Sequence, residues 1–249
     1  MARYQVILAY DGTEFTGFQR QAQGKKSRTV QAQVETALRR IGWQGTTILA
    51  AGRTDTGVHA SGQVIAFDLD WPHGDLALLA ALNANLPPDV AAQAAFERRA
   101  DFYPRYDALW RSYRYRIFCK PLRDPLRERY AWRVWPAPEL ERLQASAKEL
   151  LGLHNFSAFG SPPHPGGVTQ RQVHQAGWQA QADELTFEIT ANAFLFRMAR
   201  HLVGLQVSIG QGALETAVIS QCFQSGSRNL AKPLAPSQGL YLVKVAYPE

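Results

Sequence analysis

The sequence predicts an α+β fold made of two successive βαββαβ units, and three observations support it. Segments with the two-residue period of strands alternate with segments of helical period, and the order βαββαβ occurs twice along the 249 residues. Hydrophobic residues make up 46% of the chain, enough for a sizeable core. No apolar run approaches the roughly 20 residues of a membrane span. We therefore expect two ferredoxin-like halves, residues 1–105 and 106–249, joined through mixed or antiparallel sheets.

The first half contains four predicted strands and two predicted helices. Thr29 is a good N-cap for a helix whose apolar residues recur at helical spacing until Gly42 ends it. A second helix is expected to place Leu76, Leu79 and Leu82 on one face. The predicted elements are strand 3–9, the helix after Thr29, strand 46–51, strand 63–68, helix 75–85 and strand 90–98.

The second half repeats the order without a detectable repeat of residues, so the duplication rests on element order alone. Its Pro- and Gly-rich segment 161–167 predicts a surface loop, because helices and strands resume on both sides. The predicted elements are strand 111–119, helix 139–151, strand 172–180, strand 184–191, helix 194–209, a short extra helix 214–220 and strand 240–246.

Positive charge is concentrated in the middle of the chain. The net charge is +6, and residues 98–133 alone hold eleven basic and four acidic side chains, a net +7. Aromatic residues alternate with the arginines there, as a surface that grips phosphates and stacks on bases would require. A solvated basic face over a core strand is the alternative. The aromatic residues are Phe102, Tyr103, Tyr106, Trp110, Tyr113, Tyr115, Phe118, Tyr130 and Trp132.

Several kinds of chemistry lack their sequence signals. Cys119 and Cys222 form no CxxC pair, and the start of the chain reads as a strand rather than a signal peptide, which indicates a reducing cytoplasm. The six histidines show no metal-ligand spacing, and neither a Walker lysine motif nor GxGxxG occurs. We therefore predict no metal, no cofactor and no membrane association.

The strongest candidate for chemistry is the glycine-bounded polar segment from Gly52 to His59, which contains Arg53 and Asp55. A turn-forming Asp55 is the plain alternative. Asp55, Thr56 and Gly57 also form the triplet of aspartic proteases. That interpretation is disfavoured because the triplet occurs once, whereas those enzymes need two aspartates that share a proton.

These residues resemble a known family, the tRNA pseudouridine synthases of the TruA type, and the similarity runs nearly end to end. Two departures are Thr56, where the family commonly has alanine, and Pro104, where a small residue usually stands. The matching segments are Leu8 to Thr13 with Phe15, Gly17, Phe18 and Gln19; Gly52 to Ala60 around Asp55; Arg105 to Ala108 followed by Tyr113, Arg114 and Tyr115; His154, Asn155, Phe156 and Phe159; Asn192 to Leu195 with Met198, Ala199, Arg200, Val203 and Gly204; and Gly239 to Leu242.

The resemblance implies a pseudouridine synthase fold acting as one catalytic unit, and an enzyme that isomerises uridines 38, 39 and 40 in the anticodon arm of tRNA. It implies that Asp55 is the essential carboxylate, that Arg200 stabilises its ionised form, and that Tyr113 stacks on the uracil. Arg53 is expected to fill the gap left by a flipped base or to hold its phosphate. The family acts as a homodimer without a cofactor. The remaining candidates for RNA binding are Arg105, Arg114 and Leu240.

A non-catalytic RNA-binding module of the RRM type is the main alternative, since ferredoxin-like halves with exposed aromatic residues describe such modules as well. It predicts affinity without turnover. The aromatic residues here cluster at the start of the second half, whereas RRM signatures place them on the first and third strands, and the Asp55 segment would have no purpose in such a module.

Overall fold

The computed structural model describes residues 1–21 and 27–248 and has the predicted α+β class. Its chain forms two compact units. The first contains Met1–Leu109 together with Tyr241–Glu249, and the second contains Trp110–Leu240. In the part of the chain that is described, no helix has both the length and the apolar character needed to cross a membrane.

The first unit is built on an antiparallel sheet with one parallel addition. Its strands are β1 (Ala2–Tyr10), β2 (Leu49–Ala50), β3 (His59–Leu69), β4 (Val90–Arg98) and, from Tyr241 onward, β10 (Leu240–Ala246). Their order is β4-β1-β3-β10, with β2 paired to β3. Strand 46–51 was predicted too long, since only two of its residues pair.

The closing strand makes a pairing that was not predicted. The sequence predicts it as the last strand of the second βαββαβ unit, and in the structure Tyr241 and Leu242 also pair in parallel with His59 and Ala60 of β3. The contact between the strands is close, because a Cβ on Gly62 would lie 2.2 Å from the carbonyl oxygen of Val243. The local residue pattern of a strand does not show which distant strand it pairs with, so the sequence did not predict this pairing.

The described residues of the first unit form two α-helices. The helix α1 (Val30–Arg40) begins as predicted, with the Thr29 hydroxyl oxygen accepting a hydrogen bond from the Ala32 amide. The prediction for α2 (Gly74–Asn85) has the wrong face, because Leu76 is 83% exposed while Leu78 and Leu82 are buried. The helix contains several leucines that differ little in hydrophobicity, so the helical period of apolar residues did not identify the two that face the core.

The second unit has a four-stranded antiparallel sheet in the order β5-β9-β8-β7. Its strands are β5 (Trp110–Phe118), β6 (Trp132–Arg133), β7 (Gly152–Asn155), β8 (Gln170–Gln181) and β9 (Glu184–Ala191). The short β6 pairs in parallel with the end of β5. Neither β6 nor β7 was predicted, because strands of two and four residues are too short to show an alternating pattern.

The helices of the second unit are α3 (Leu140–Lys148), α4 (Met198–Gly210) and α5 (Val218–Ser225). The helix α4 begins four residues later than predicted. The Asn192 side-chain oxygen accepts hydrogen bonds from the amides of Gln172 and Ala193, and Arg197 has a left-handed φ of 64°. Because an asparagine side chain competes with the backbone in this way, residues 192–197 form a loop ahead of the helix.

Candidate active site

Asp55 lies half-buried in the loop between β2 and β3, and Arg53 is exposed in the same loop. Backbone and hydroxyl hydrogen bonds contribute to holding this loop. The Phe18 amide donates to the Thr54 carbonyl at 3.0 Å, and the buried Tyr10 and Thr54 hydroxyls are 2.8 Å apart. The Val58 amide donates to the Asp55 carbonyl at 3.2 Å, closing a turn. The loop therefore presents Asp55 on a fixed backbone.

The opening segment is residues 11–18, which follow β1. Two of its glycines allow it to lie directly against the Asp55 loop. A Cβ on Gly12 would lie 2.0 Å from the carbonyl oxygen of Val58, a distance that no real Cβ reaches. Gly17 has a φ of 98°, and a Cβ there would be 2.9 Å from the Thr54 carbonyl oxygen. The backbone of the opening segment thus supports the Asp55 loop at close range.

An ion pair braces the opening segment, and sequence reasoning did not find it. Arg28 binds Asp89 through two hydrogen bonds of 2.5 and 2.8 Å, and its guanidinium lies 4.1 Å from the centre of the Phe15 ring. The Thr16 amide donates to the Arg28 carbonyl. Bidentate pairing restrains an arginine in a single geometry. The two partners are 61 residues apart in sequence, and no local pattern links them.

Tyr113 and Tyr115 lie on the same face of β5 but have different surroundings. Tyr115 is fully buried, and burial raises its pKa well above the ordinary value while Arg200 opposes the shift. Its hydroxyl donates to the Pro236 carbonyl at 2.7 Å, which gives it a structural role. Tyr113 is half-buried and meets Phe194 edge-on, with ring centres 4.7 Å apart. Of the two, Tyr113 is the one accessible to a ligand.

Arg200 is fixed on α4 by the segment that precedes β10. Its Nε donates to the Ala235 carbonyl at 2.8 Å, and the Ala235 amide donates to the Arg200 carbonyl at 3.1 Å. The segment can approach the helix because Gly204 lacks a side chain, and a Cβ there would lie 1.9 Å from the Pro233 carbonyl oxygen. These contacts give the guanidinium of Arg200 a defined position within the second unit.

A neighbouring histidine on α4 is held in its neutral form. The Nδ1 atom of His201 is 2.9 Å from the Ala231 carbonyl oxygen. Burial is the largest cause that lowers the pKa of His201, and the charges of Arg200, Arg197 and Arg228 lower it further. The start of α4 therefore carries its positive charge on arginines alone at neutral pH.

Carboxylates from other parts of the chain neutralise much of the positive charge of residues 98–133. Strand β9 lies beside β5 and places acidic residues opposite its arginines, with Arg114 aligned with Glu188 and 2.7 Å from it. Arg116 pairs with Glu184, and Arg127 pairs with both Asp183 and Glu184. Much of the +7 counted over residues 98–133 is thus balanced by carboxylates from outside that window.

The structure distributes the predicted site residues between the two units. Asp55, Arg53 and Arg105 belong to the first unit, whereas the second unit contains Tyr113, Arg114, Arg200 and Leu240. Arg105 is exposed in the loop after β4, with its guanidinium 5.8 Å from the Tyr106 ring centre. Leu240 is only 6% exposed. Among residues 1–21 and 27–248, no group of three or more His, Cys, Asp or Glu side chains is arranged to hold a metal ion.

The family model described as tRNA pseudouridine synthase matches residues 6–107 and 146–248, which is most of the chain. Both matched segments contain site candidates, Asp55 in the first and Arg200 in the second. The chain belongs to this family of tRNA pseudouridine synthases. The alternative of a non-catalytic RRM-like module is not supported, because the matched family is one of enzymes.

Curated relatives extend the similarity over the whole chain. A protein named tRNA pseudouridine synthase A from Picosynechococcus sp. is 38% identical over 99% of this chain and 89% of its own length. Relatives of the same name from Methylobacterium nodulans and Syntrophomonas wolfei are 38% and 36% identical, over 97% and 99% of their lengths. The solved structure titled "Crystal Structure of a Cbf5-Nop10-Gar1 Complex" covers 82% of this chain at a TM-score of 0.36 and 12% identity, a likeness too low for inference.

Proposed function

We propose that this protein converts uridine to pseudouridine at positions 38, 39 and 40 in the anticodon arm of tRNA, with Asp55 as the catalytic carboxylate and without a cofactor. The observation that carries the proposal is the end-to-end similarity to relatives named tRNA pseudouridine synthase A. The rigid loop that presents Asp55 supports it further, because a catalytic group must be held in a fixed geometry.

The reaction exchanges one glycosidic bond for another. The bond from N1 of uracil to C1′ breaks, C5 forms a new bond to C1′, the proton of C5 leaves, and N1 gains a proton. Glycosidases use two carboxylates, one of which handles water or protonates the leaving group. Uracil leaves as a stabilised anion, so one carboxylate suffices. Asp55 performs this role by adding to the sugar, by adding to the pyrimidine ring, or by acting as a base.

The other candidate residues serve the same reaction. Tyr113 stacks on the uracil and is a candidate acceptor of the C5 proton. Arg200 favours the ionised form of Asp55 when bound RNA excludes water. Arg53 takes the place of the flipped nucleotide or holds its phosphate. The residues assigned to tRNA contacts are Arg105, Arg114 and Leu240.

The compartment and the oligomeric state that we expect for the enzyme follow from the family resemblance. We place the enzyme in the cytoplasm, where tRNA is modified, and expect it to act as a homodimer. The two free cysteines agree with a reducing compartment.

Product analysis tests the proposal. The pure protein, incubated with unmodified tRNA in buffer containing EDTA, is expected to form pseudouridine with no change in RNA mass and no release of uracil. Magnesium is expected to affect only tRNA folding, which a pre-folded tRNA controls for. Release of free uracil would indicate a hydrolase, and a strict metal requirement in the chemical step would contradict the cofactor-free mechanism.

A further inference from the structure

A cavity of about 450 Å³ lies on the second unit, around the segment that follows β5. Its volume is within the range of roughly 300–1,000 Å³ that ligand pockets occupy, and it exceeds what one phosphate group needs. The residues that line it are Arg123, Pro125, Glu128, Arg129, Trp132, Arg133 and Gln238. None of them belongs to the candidate active site described above.

The cavity lining is strongly positive. Three guanidinium groups face a single carboxylate, that of Glu128. Glu128 bridges two of them, binding Arg123 and Arg133 at 3.0 Å each. The hydrogen bond from Arg123 is the largest cause that lowers the pKa of Glu128. The carboxylate therefore stays ionised and positions Arg123 and Arg133. The lining residues together carry a net charge of +2, which favours an anionic ligand.

An aromatic side chain and an amide complete the lining. Trp132 offers an indole, on which a ribose or a base can pack, and Gln238 offers both a donor and an acceptor. Arg123 and Arg129 are exposed, so a ligand reaches them without rearrangement of the backbone. Arginine guanidinium groups beside an aromatic ring are typical of sites that bind a nucleotide unit.

The cavity is built onto the strand that carries Tyr113. Trp132 and Arg133 form β6, which pairs with Ile117 and Phe118 at the end of β5. Tyr113 precedes Ile117 by four residues, a separation of about 13 Å along a strand. An RNA with its target base at Tyr113 would therefore have its neighbouring nucleotides within reach of the cavity.

The turn before β10 ties the cavity to the same strand. Gln238 lies in the 3₁₀ turn Ser237–Gly239, and a Cβ on Gly239 would be 2.6 Å from the Tyr115 ring. Tyr115 also meets Trp132 edge-on, with ring centres 6.3 Å apart. The residues around the cavity are therefore packed directly against β5.

We propose that this cavity binds a nucleotide flanking the target uridine in the tRNA substrate, with Arg123 and Arg129 on its phosphate and Trp132 against its ribose or base. The inference rests on the proposed function, since it takes RNA to be the substrate. It adds a second RNA-binding site beside β5, separate from the site of chemistry.

The test compares Arg129→Gln with Arg142→Gln in the full chain. Arg142 lies on α3 outside the cavity and pairs with Glu139, so this control removes the same charge elsewhere. We expect Arg129→Gln to raise the Kd for tRNA about 5- to 10-fold and to reduce the slope of log Kd against log salt concentration by about one. Arg142→Gln is expected to leave both near their wild-type values. Thermal unfolding of each variant checks that it is folded.

The possible outcomes test the cavity proposal and the proposed function independently. Wild-type affinity and salt slope in Arg129→Gln, with an active parent enzyme, would overturn the cavity proposal alone. A parent protein that binds tRNA but makes no pseudouridine would overturn the proposed function alone. In a second arm, inorganic phosphate is titrated at constant ionic strength. A saturable rise in Tm that Arg129→Gln abolishes, with tRNA affinity unchanged, would assign the cavity to free phosphate and contradict RNA binding.

Discussion

Replacing Asp55 by asparagine is expected to lower the single-turnover rate of pseudouridine formation by more than about 1,000-fold. The amide is nearly isosteric with the carboxylate but is neither a nucleophile nor a base at neutral pH. The hydrogen bonds of Thr54, Phe18 and Val58 that hold the loop do not use the Asp55 side chain, so the loop is expected to keep its shape. Affinity for tRNA is expected to change only a few-fold, because phosphate contacts dominate it.

Two further variants make this experiment specific. Asp70→Asn removes the same charge just beyond β3, at a side chain that is 90% exposed, and is expected to keep wild-type activity. Arg200→Ala is expected to cripple catalysis, and combining it with Asp55→Asn should add little if the two groups act as a unit. Near wild-type turnover by Asp55→Asn would refute the catalytic role. Lost binding and a lower Tm with residual activity would indicate a turn-stabilising Asp55 instead.

Replacing Gly12 by alanine is expected to damage both stability and catalysis. The added methyl group would lie 2.0 Å from the Val58 carbonyl oxygen, and Val58 is hydrogen-bonded to Asp55 through the backbone. Relief of that clash displaces the Asp55 loop or the opening segment that supports it. We expect the free energy of unfolding to fall by about 1–3 kcal/mol. The rate per folded molecule is expected to fall by about 10- to 100-fold, because small misplacements of a catalytic group are costly.

Gly52→Ala is the matched control for this substitution. It adds the same methyl group within the Asp55 loop, where no heavy atom lies within 4 Å. Its Tm and single-turnover rate are expected to stay close to those of the parent protein. Equal behaviour of Gly12→Ala and Gly52→Ala would show that the opening segment does not position Asp55. If Gly12→Ala does not fold, its contrast with a folded Gly52→Ala still supports the close contact.

Local signals predicted much of the fold. The cap at Thr29 located the start of α1, and alternation gave the bounds of β4 and β9 as the structure has them. Where several apolar residues were equivalent, as with Leu76 and Leu78 in α2, only tertiary packing selected the buried face. The position of β10 beside β3 depends on a pairing between residues about 180 apart, which periodicity does not encode.

The candidate site was also predictable only where local sequence signals define it. Glycines around a polar segment identified the Asp55 loop, and one of them, Gly57, has a positive φ of 75° that favours glycine. The support for that loop was not predictable, since Arg28 and Asp89 act through a long-range pair. Charge counted along residues 98–133 overstated the basic surface, because Glu184 and Glu188 arrive from another strand. Only contacts in three dimensions decide which arginines face an RNA.

The measurement that tests the central claim most directly is nucleotide-resolution mapping of pseudouridine in tRNA treated with the pure protein. Unmodified tRNA carrying uridine at positions 38, 39 or 40 is treated with the wild-type protein and, in parallel, with Asp55→Asn. The proposed function predicts pseudouridine at those positions with the wild-type protein and none with the variant. Absence of pseudouridine after treatment with folded wild-type protein, or its formation only outside the anticodon arm, would contradict the account.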